Sequence, residues 1–230
     1  MVMKSALIVG TGPGLSASLA RLFFKHGLQV AMASRDPSKL AKLAAETAGV
    51  TFACEATEPE EVAGLFDAVE ATIGTPDIVV YNASARARGP VTDLDPADVA
   101  RAIAVSAFGG FLVAQQAARL MVARGSGVIL LTGASASVKG YPNSSAFAMG
   151  KFALRGLAQS MAREMSPKGV HVAHFVIDGG IRSATRIDPN DSPDSLLDPD
   201  AIAETYWHVA NQHRSAWTWE VELRPWVEKF

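Results

Sequence analysis

Short, continuously apolar segments alternate along this chain with segments in which apolar residues recur every three or four positions. The first pattern is typical of strands buried on both faces of a parallel sheet, and the second of amphipathic helices. Six apolar segments predict strands, at 6–9, 29–33, 50–54, 78–81, 128–131 and 170–177. Residues 217–223 alternate apolar and polar side chains and predict a half-buried terminal strand.

Helical periodicity fills the intervals between these strands. The predicted helices begin at Leu15, Pro37 and Pro59, and three more span 97–124, 145–165 and 200–213. Such an alternation predicts an α/β fold with about seven strands in a doubly wound parallel sheet between two helical layers. We expect one domain over residues 1–230. Residues 182–199, with three prolines and four aspartates, interrupt the pattern and are predicted to form a mobile excursion.

The overall charge narrows the classes of partner. The formal net charge is −2 and the 21 basic residues are scattered, whereas nucleic-acid binding needs a concentrated basic face. We find no apolar run near the roughly 18 residues that a spanning helix needs, and the apolar stretch after Lys4 ends at Gly10, too early for a secretory signal. The single cysteine, Cys54, fits a reducing compartment. We therefore expect a cytoplasmic protein whose partner is a small molecule rather than nucleic acid or a membrane.

A glycine-rich loop joins the first predicted strand to the first predicted helix. It contains Gly10, Gly12 and Gly14, and the helix begins at Leu15. Glycines at this place allow a tight turn and let the backbone approach a pyrophosphate, whose charge is favoured by the helix N-terminus. An ordinary turn also uses glycine, but the position between strand and helix at the start of an alternating fold favours a dinucleotide site.

The same loop resembles the fingerprint of the short-chain dehydrogenase/reductase family, Gly-x-x-x-Gly-x-Gly. Gly10 and Gly14 match its first two glycines, and Ser16 stands at the third. The resemblance continues through most of the chain. It implies that further residues surround the cofactor: Glu55, Asn82-Ala83-Ser84, and Gly179, Ile181 and Ser183 within 177–183.

The end of the second predicted strand bears on which dinucleotide binds. NAD enzymes of this fold usually place an acid there for the ribose 2′-hydroxyl, but this chain has Ser34, followed by Arg35. A guanidinium suits a 2′-phosphate, so we expect NADP(H), with NAD(H) as the alternative. Asp36 weakens this expectation if it pairs with Arg35.

The family resemblance also implies a site for reducing carbonyls or oxidising alcohols, but this chain departs from it. The family's Tyr-x-x-x-Lys motif corresponds to Phe147 and Lys151, its serine to Ala134 and its asparagine to Ser106. Lys151 is therefore expected to bind the nicotinamide ribose. Phenylalanine cannot exchange a proton, so the family's ordinary proton transfer cannot operate at Phe147.

Substitute groups lie close by in sequence. Ser135 and Ser137 follow the serine position, and Tyr141 lies in the loop that borders the substrate in the family. Together with Lys151, we take Ser135 and Tyr141 as candidate catalytic residues, although Tyr141 is more often a packing residue in such a turn. The five histidines have no paired acids or cysteines at ligand spacing, so we expect no metal site.

Three functions remain open at this stage. The first is an NADP(H)-dependent oxidoreductase of carbonyls or alcohols with a non-standard proton donor. The second is a dinucleotide-binding protein, a sensor or partner subunit, that has lost the chemistry, and the third is a non-redox enzyme such as an isomerase. In the family, the helices corresponding to 97–124 and 145–165 pack across a two-fold axis, and both contain small residues such as Ala114 and Ala158. A homodimer or homotetramer is therefore expected.

Overall fold

Seven strands form one parallel sheet in the computed structural model, which describes residues 3–189 and 191–228. The strands are β1 (Ser5–Val9), β2 (Gln29–Ser34), β3 (Val50–Ala53), β4 (Ile78–Tyr81), β5 (Gly127–Thr132), β6 (Val170–Ile177) and β7 (Glu220–Leu223). Their order across the sheet is β3-β2-β1-β4-β5-β6-β7, and every neighbouring pair is parallel. The predicted fold class is confirmed.

Helices cover both faces of the sheet. They are α1 (Leu15–Lys25), α2 (Ala41–Thr47), α3 (Pro59–Ile73), α4 (Pro96–Ile103), α5 (Gly109–Arg124), α6 (Ser145–Met165) and α7 (Pro199–Ala210). One buried apolar cluster joins the sheet to α3, α5 and α6, and the other joins it to α1, α2 and α7. Along β1, Leu7 belongs to the first cluster and Ile8 to the second, as expected for a strand with two buried faces. Ala114 and Ala158 are fully buried in the first cluster, so they do not offer the intersubunit contact expected of them.

The predicted helix 97–124 is interrupted in its middle by a wider π-helical turn at Ala104–Phe108. The Tyr81 hydroxyl donates a hydrogen bond to the Val105 carbonyl within this turn. The next turn begins with Gly109, where a Cβ would lie 2.5 Å from the Tyr81 hydroxyl oxygen. Glycine is therefore required for the close approach of this helix to β4, and the π turn places Ser106 against the loop that follows β4.

By length and composition alone, one helical segment among the described residues, Pro96–Arg124, is apolar enough to cross a membrane. The sequence expectation that no such segment exists was therefore wrong. Core helices of soluble proteins pass the same test, so this is weak evidence for a span. Val113, Ala117 and Met121 on this segment are packed in the core against the sheet.

The remaining differences from the predicted elements lie near their ends. The helix expected from Pro37 starts as a 3-10 turn, and the last helix ends at Ala210 rather than at 213. The terminal strand starts at Glu220, three residues later than expected, because the preceding Trp217 stacks on His171 instead of pairing in the sheet. Within 182–199, Arg182 forms ion pairs with three aspartates, Asp188, Asp194 and Asp198.

Candidate functional site

The glycine-rich loop is fastened to the carboxyl ends of β1 and β2. The backbone nitrogens of Gly10 and Thr11 both donate to the Ala33 carbonyl at 3.0 Å. Gly10 has a φ of +84°, and a Cβ at this position would lie 2.3 Å from the backbone nitrogen of Ala83. Only glycine therefore allows the loop to leave β1 and pass over Ala83. This close approach places the glycine-rich loop beside the predicted cofactor segment Asn82-Ala83-Ser84.

The other two loop glycines border open space. A Cβ at Gly12 or Gly14 would meet no atom of the described residues within 4 Å. Gly14 is the N-cap of α1, whose first turn contains no acidic residue and receives no side-chain cap from the described residues, while the Leu15 side chain anchors it in the core. Free backbone N–H groups and a positive helix end beside open space fit the pyrophosphate of a dinucleotide.

Ser16 links this loop to the end of β4. Its hydroxyl donates to the Gly10 carbonyl at 3.1 Å and accepts a hydrogen bond from Asn82 Nδ2 at 2.6 Å. The backbone nitrogen of Asn82 in turn donates to the Val9 carbonyl at 2.9 Å. The serine at the third fingerprint position therefore adds a connection between two cofactor segments, and it is accommodated with its side chain buried.

At the end of β2, the side chains of the two residues predicted to select the dinucleotide have no partner among the described residues. Ser34 Oγ is buried and has no hydrogen-bond partner among the described residues. Arg35 is exposed, and its guanidinium makes no ion pair within the described part of the chain. Asp36 accepts hydrogen bonds from Ser38 and forms an ion pair with Lys39 at 3.2 Å. Asp36 is thus engaged elsewhere, which leaves the Arg35 guanidinium available for a phosphate.

Glu55, predicted near the adenine, follows β3 and is half-buried. Its backbone nitrogen donates to the Glu61 carboxylate at 2.8 Å, so the loop conformation is fixed from the first turn of α3. The preceding Cys54 is buried, and burial raises the pKa of its thiol to about 11. That cysteine is consequently a core residue rather than a reactive thiol.

The predicted nicotinamide segment lies beyond β6. Gly179 lies against the ring of Pro225, and Ile181 forms a β-bridge with Leu197. Ser183 is exposed, and its backbone nitrogen donates to the Arg186 carbonyl at 2.8 Å. The segment is therefore a packed loop held at the carboxyl edge of the sheet.

Lys151 is buried in α6, with 2% of its surface exposed. Its ammonium donates to the Thr132 carbonyl at the end of β5, with Nζ and O 2.7 Å apart. Burial, with a smaller contribution from Arg86, lowers its pKa to about 7. The ammonium has three N–H donors, and the described residues occupy one of them. The other two have no hydrogen-bond partner among the described residues.

Phe147 lies one helical turn before Lys151 and is also buried. Its ring centroid is 5.9 Å from Lys151 Nζ, and on the ring lies the guanidinium of Arg86, 4.0 Å from the centroid. A cation over an aromatic face is attracted by the ring quadrupole. A charged group thus lies over the ring of the residue at which the family resemblance led us to expect a tyrosine.

A buried polar chain supports the loop that follows β5. Ser137 Oγ lies 3.3 Å from His174 Nε2, and His174 Nδ1 lies 3.0 Å from the Glu220 carboxylate. Glu220 is held by two hydrogen bonds from Arg155, at 2.6 and 2.8 Å. At the other end of the chain of polar groups, Ser137 Oγ accepts a hydrogen bond from the Ala134 backbone nitrogen. Ser137 and His174 are fully buried, so this arrangement positions the loop and has no access to substrate.

The other predicted catalytic residues are near the same loop. Ser135 is half-buried at the start of a 3-10 turn, Ser135–Ser137, and 44% of the Tyr141 surface is exposed. Neither side chain has a hydrogen-bond partner among the described residues. Ser106, by contrast, is buried, with its hydroxyl 3.4 Å from the backbone of Ala85.

Sequence reasoning missed the charged residues of this edge. The sequence pattern treats Arg86 as one of the scattered basic residues, although Arg86 and Arg88 lie in the segment that follows β4 at the carboxyl edge, where ligands bind in such folds. The sequence pattern bears on His174 only as a possible metal ligand. Its partners, Ser137 and Glu220, are 37 and 46 residues away in sequence, so no local pattern indicated the network.

Comparison with known proteins agrees with this architecture. The family model for short chain dehydrogenase matches residues 4–193. Secoisolariciresinol dehydrogenase from Forsythia intermedia is 33% identical over 175 residues, which cover 74% of this chain and 63% of that protein. Two further curated relatives are covered to 61% and 64%, so the chain spans less than two thirds of the length of these three.

Two solved structures are similar over nearly the whole chain. A short-chain dehydrogenase from Rhodopseudomonas palustris is 33% identical with a TM-score of 0.85, and the match covers 97% of this chain and 99% of the other. A metagenomic short-chain oxidoreductase in complex with NADP is 27% identical with a TM-score of 0.83, covering 96% and 97%.

The buried histidine makes folding stability depend on pH. Burial lowers the pKa of His174 to about 4, whereas an unfolded histidine titrates near 6.5. The unfolded chain therefore binds an extra proton between these values, and the free energy of unfolding should fall as the pH drops from about 6.5 to about 4. Urea unfolding of the ligand-free protein at a series of pH values measures this.

The variant His174→Gln isolates the contribution of this histidine to the pH dependence of stability. It should be less stable than the wild type at pH 7.5, because the bonds to Ser137 and Glu220 are weakened, but it should lose less stability toward pH 4.5. Equal pH dependence in the two proteins would show that His174 is not the titrating group.

Proposed function

This chain belongs to the short-chain dehydrogenase family, and we propose that it is an NADP(H)-dependent oxidoreductase that acts on a carbonyl or alcohol with a non-standard proton donor. The observation that carries the proposal is the glycine-rich loop, whose open space lies at the uncapped N-terminus of α1. A nicotinamide dinucleotide, when bound, supplies or accepts the hydride. The chain must then hold the dinucleotide and the substrate and provide a proton.

Binding of the dinucleotide is assigned to the residues that surround the loop and the carboxyl ends of β2, β4 and β6. The backbone at Gly12, Gly14 and Leu15 would face the pyrophosphate, and the free N–H donors of Lys151 would face ribose hydroxyls. The remaining assigned residues are those predicted from the sequence: Gly10, Ser34, Arg35, Glu55, Asn82, Ala83, Gly179, Ile181 and Ser183.

The proton donor cannot be Phe147, so three nearby groups compete for this role. Lys151 has a pKa of about 7, close to the value at which a general acid works well near neutral pH. Ser135 and Tyr141 are the other candidates. Their hydroxyls are not engaged by the described residues, which leaves both free to contact a substrate.

The alternative function is a dinucleotide-binding protein that performs no chemistry. The buried Phe147 beside Lys151 favours it, since the group at this position has no exchangeable proton. Such a protein would bind NADPH and leave carbonyls unreduced. Binding and turnover therefore have to be measured separately.

Consumption of NADPH should be followed with a broad panel of aldehydes and ketones, alongside a fluorescence titration of NADPH binding. We expect tight binding together with turnover of some carbonyls. If Lys151 gives the proton, kcat should fall as the pH rises above about 7, because the ammonium is lost. Tyr141→Phe and Ser135→Ala should then keep most of the activity, whereas loss of activity in one of them alone would assign the donor to that hydroxyl. Tight NADPH binding without any turnover would favour the alternative.

Cofactor choice depends on Arg35. Arg35→Ala should weaken NADPH binding by about ten- to a hundredfold and change NADH binding little, because only NADPH has a 2′-phosphate for a charge-assisted hydrogen bond. Lys42→Ala, which removes an exposed charge from neighbouring α2, is the matched control and should affect neither dinucleotide. Equal losses for NADPH and NADH in the Arg35 variant would favour NAD(H).

The assembly proposed from the family resemblance is a homodimer or homotetramer through α5 and α6. Large apolar side chains are exposed there, namely Phe108, Phe111, Met149 and Phe152, with 39–53% of their surfaces accessible. Burying them against a second copy would remove this apolar surface from water. Light scattering at micromolar concentration should give two or four times the mass of one chain, and Phe111→Glu should shift the protein toward the monomer. A monomeric wild type would contradict the proposal.

A further inference from the structure

The Arg86 guanidinium is held at one place by an aromatic ring rather than by an acid. It lies 4.0 Å from the centre of the Phe147 ring, and no carboxylate of the described residues pairs with it. Phe147 is buried beneath it, whereas the Arg86 side chain itself remains exposed. The cation is thus fixed in position, and its N–H donors remain open to another molecule.

Two more arginines lie near Arg86. Partial burial lowers the pKa of the Arg86 guanidinium, and the charges of Arg88 and Arg186 lower it further. Arg186 extends to the nicotinamide segment, where its Nη1 lies 3.3 Å from the position of a Cβ at Gly180. Neither Arg88 nor Arg186 forms an ion pair within the described part of the chain.

Two further basic side chains at the nicotinamide segment are neutralised. Lys139 pairs with Asp178 at 2.9 Å, and Arg182 pairs with Asp188 at 2.7 Å and with two further aspartates. The chain as a whole contains more acidic than basic residues, 23 against 21. The unpaired positive charge of Arg86, Arg88 and Arg186 is therefore a local feature, and it is not a consequence of composition.

Fixed cations with open donors are suited to an anion. Guanidinium groups bind carboxylates and phosphates with two parallel hydrogen bonds, and an anion placed between Arg86 and Arg186 would offset their mutual repulsion. The place is one turn of α6 from Lys151, where the reacting group of a substrate is expected. An anionic group here would belong to a molecule that also reaches Lys151.

We propose that Arg86, together with Arg186, binds a carboxylate or phosphate group of the substrate, so that the substrate class is anionic carbonyl compounds or the corresponding alcohols. This inference rests on the proposed oxidoreductase function. It gives Phe147 a role of its own, because the face of its ring supports the Arg86 guanidinium. The competing source of an oxyanion is the pyrophosphate of the dinucleotide itself.

The test compares acids with their neutral counterparts. Pyruvate, acetoacetate and dihydroxyacetone phosphate are measured against methyl pyruvate, methyl acetoacetate and dihydroxyacetone. Turnover is followed with NADPH, and calorimetry measures binding to the protein both without dinucleotide and saturated with NADP⁺. At least one acid should bind about tenfold or more tightly than its neutral counterpart.

The variants assign this preference to the arginine. Arg86→Gln should remove the preference and leave the Kd for NADPH within about twofold, and Arg86→Lys should retain part of it, because the charge remains but the planar fork is lost. Phe147→Leu should weaken binding of the acid without removing any charge. The matched control is Arg163→Gln, on the same helix as Phe147. The Arg163 guanidinium donates a hydrogen bond only to the Gln159 carbonyl among the described residues, so this variant should behave as the wild type.

Three outcomes would overturn the inference. Acids and neutral compounds could bind equally well, no acid could bind at all, or Arg86→Gln could weaken NADPH binding as much as it weakens binding of the acid. The third outcome would assign the arginines to the phosphates of the dinucleotide. The protein could also bind the acids through Arg86 but neither bind a dinucleotide nor consume NADPH. That result would contradict the proposed oxidoreductase function and support the anion site.

Discussion

All strands of this protein's sheet run in the same direction, and both faces of the sheet are buried. Each strand must therefore be followed by a crossover that returns to the opposite edge, and every loop after a strand begins at one common edge. The glycine-rich loop after β1, the Asn82 segment after β4, the Ser135 loop after β5 and the Gly179 segment after β6 meet there for this reason. The location of the candidate site is therefore set by the direction of the strands rather than by any single side chain.

Packing at this edge determines which polar groups remain free. The hydrogen bonds of Ser16 and Asn82 connect neighbouring loops, and that of Ser137 fixes the loop after β5. The buried His174 connects Ser137 to Glu220 on β7. These bonds are internal, so they fix positions and do not contact ligands. Among the described residues, the donors left over include the backbone at the N-terminus of α1, the side chains of Arg35, Arg86 and Lys151, and the hydroxyls of Ser135 and Tyr141.

Much of the candidate site could be predicted from the sequence because its motifs are local. The glycine-rich loop can be interpreted from the strand before it and the helix after it. Lys151 can be interpreted from its position one helical turn after Phe147. Arg86 was not accessible in the same way. Nothing in its neighbourhood along the chain shows that its partner is an aromatic ring 61 positions later, because that contact requires α6 to return to the loop after β4.

The sequence by itself determined the fold class, the approximate bounds of strands and helices, and the segments that reach the candidate site, because periodicity and turn residues act over a few positions. Tertiary structure alone decided the burial of Lys151, which lowers its pKa, and the support of Arg86 by Phe147. It also decided the π turn beside Tyr81. Each of these depends on how much water is excluded and on which atoms meet across distant parts of the chain, and neither quantity is encoded in the spacing of residues.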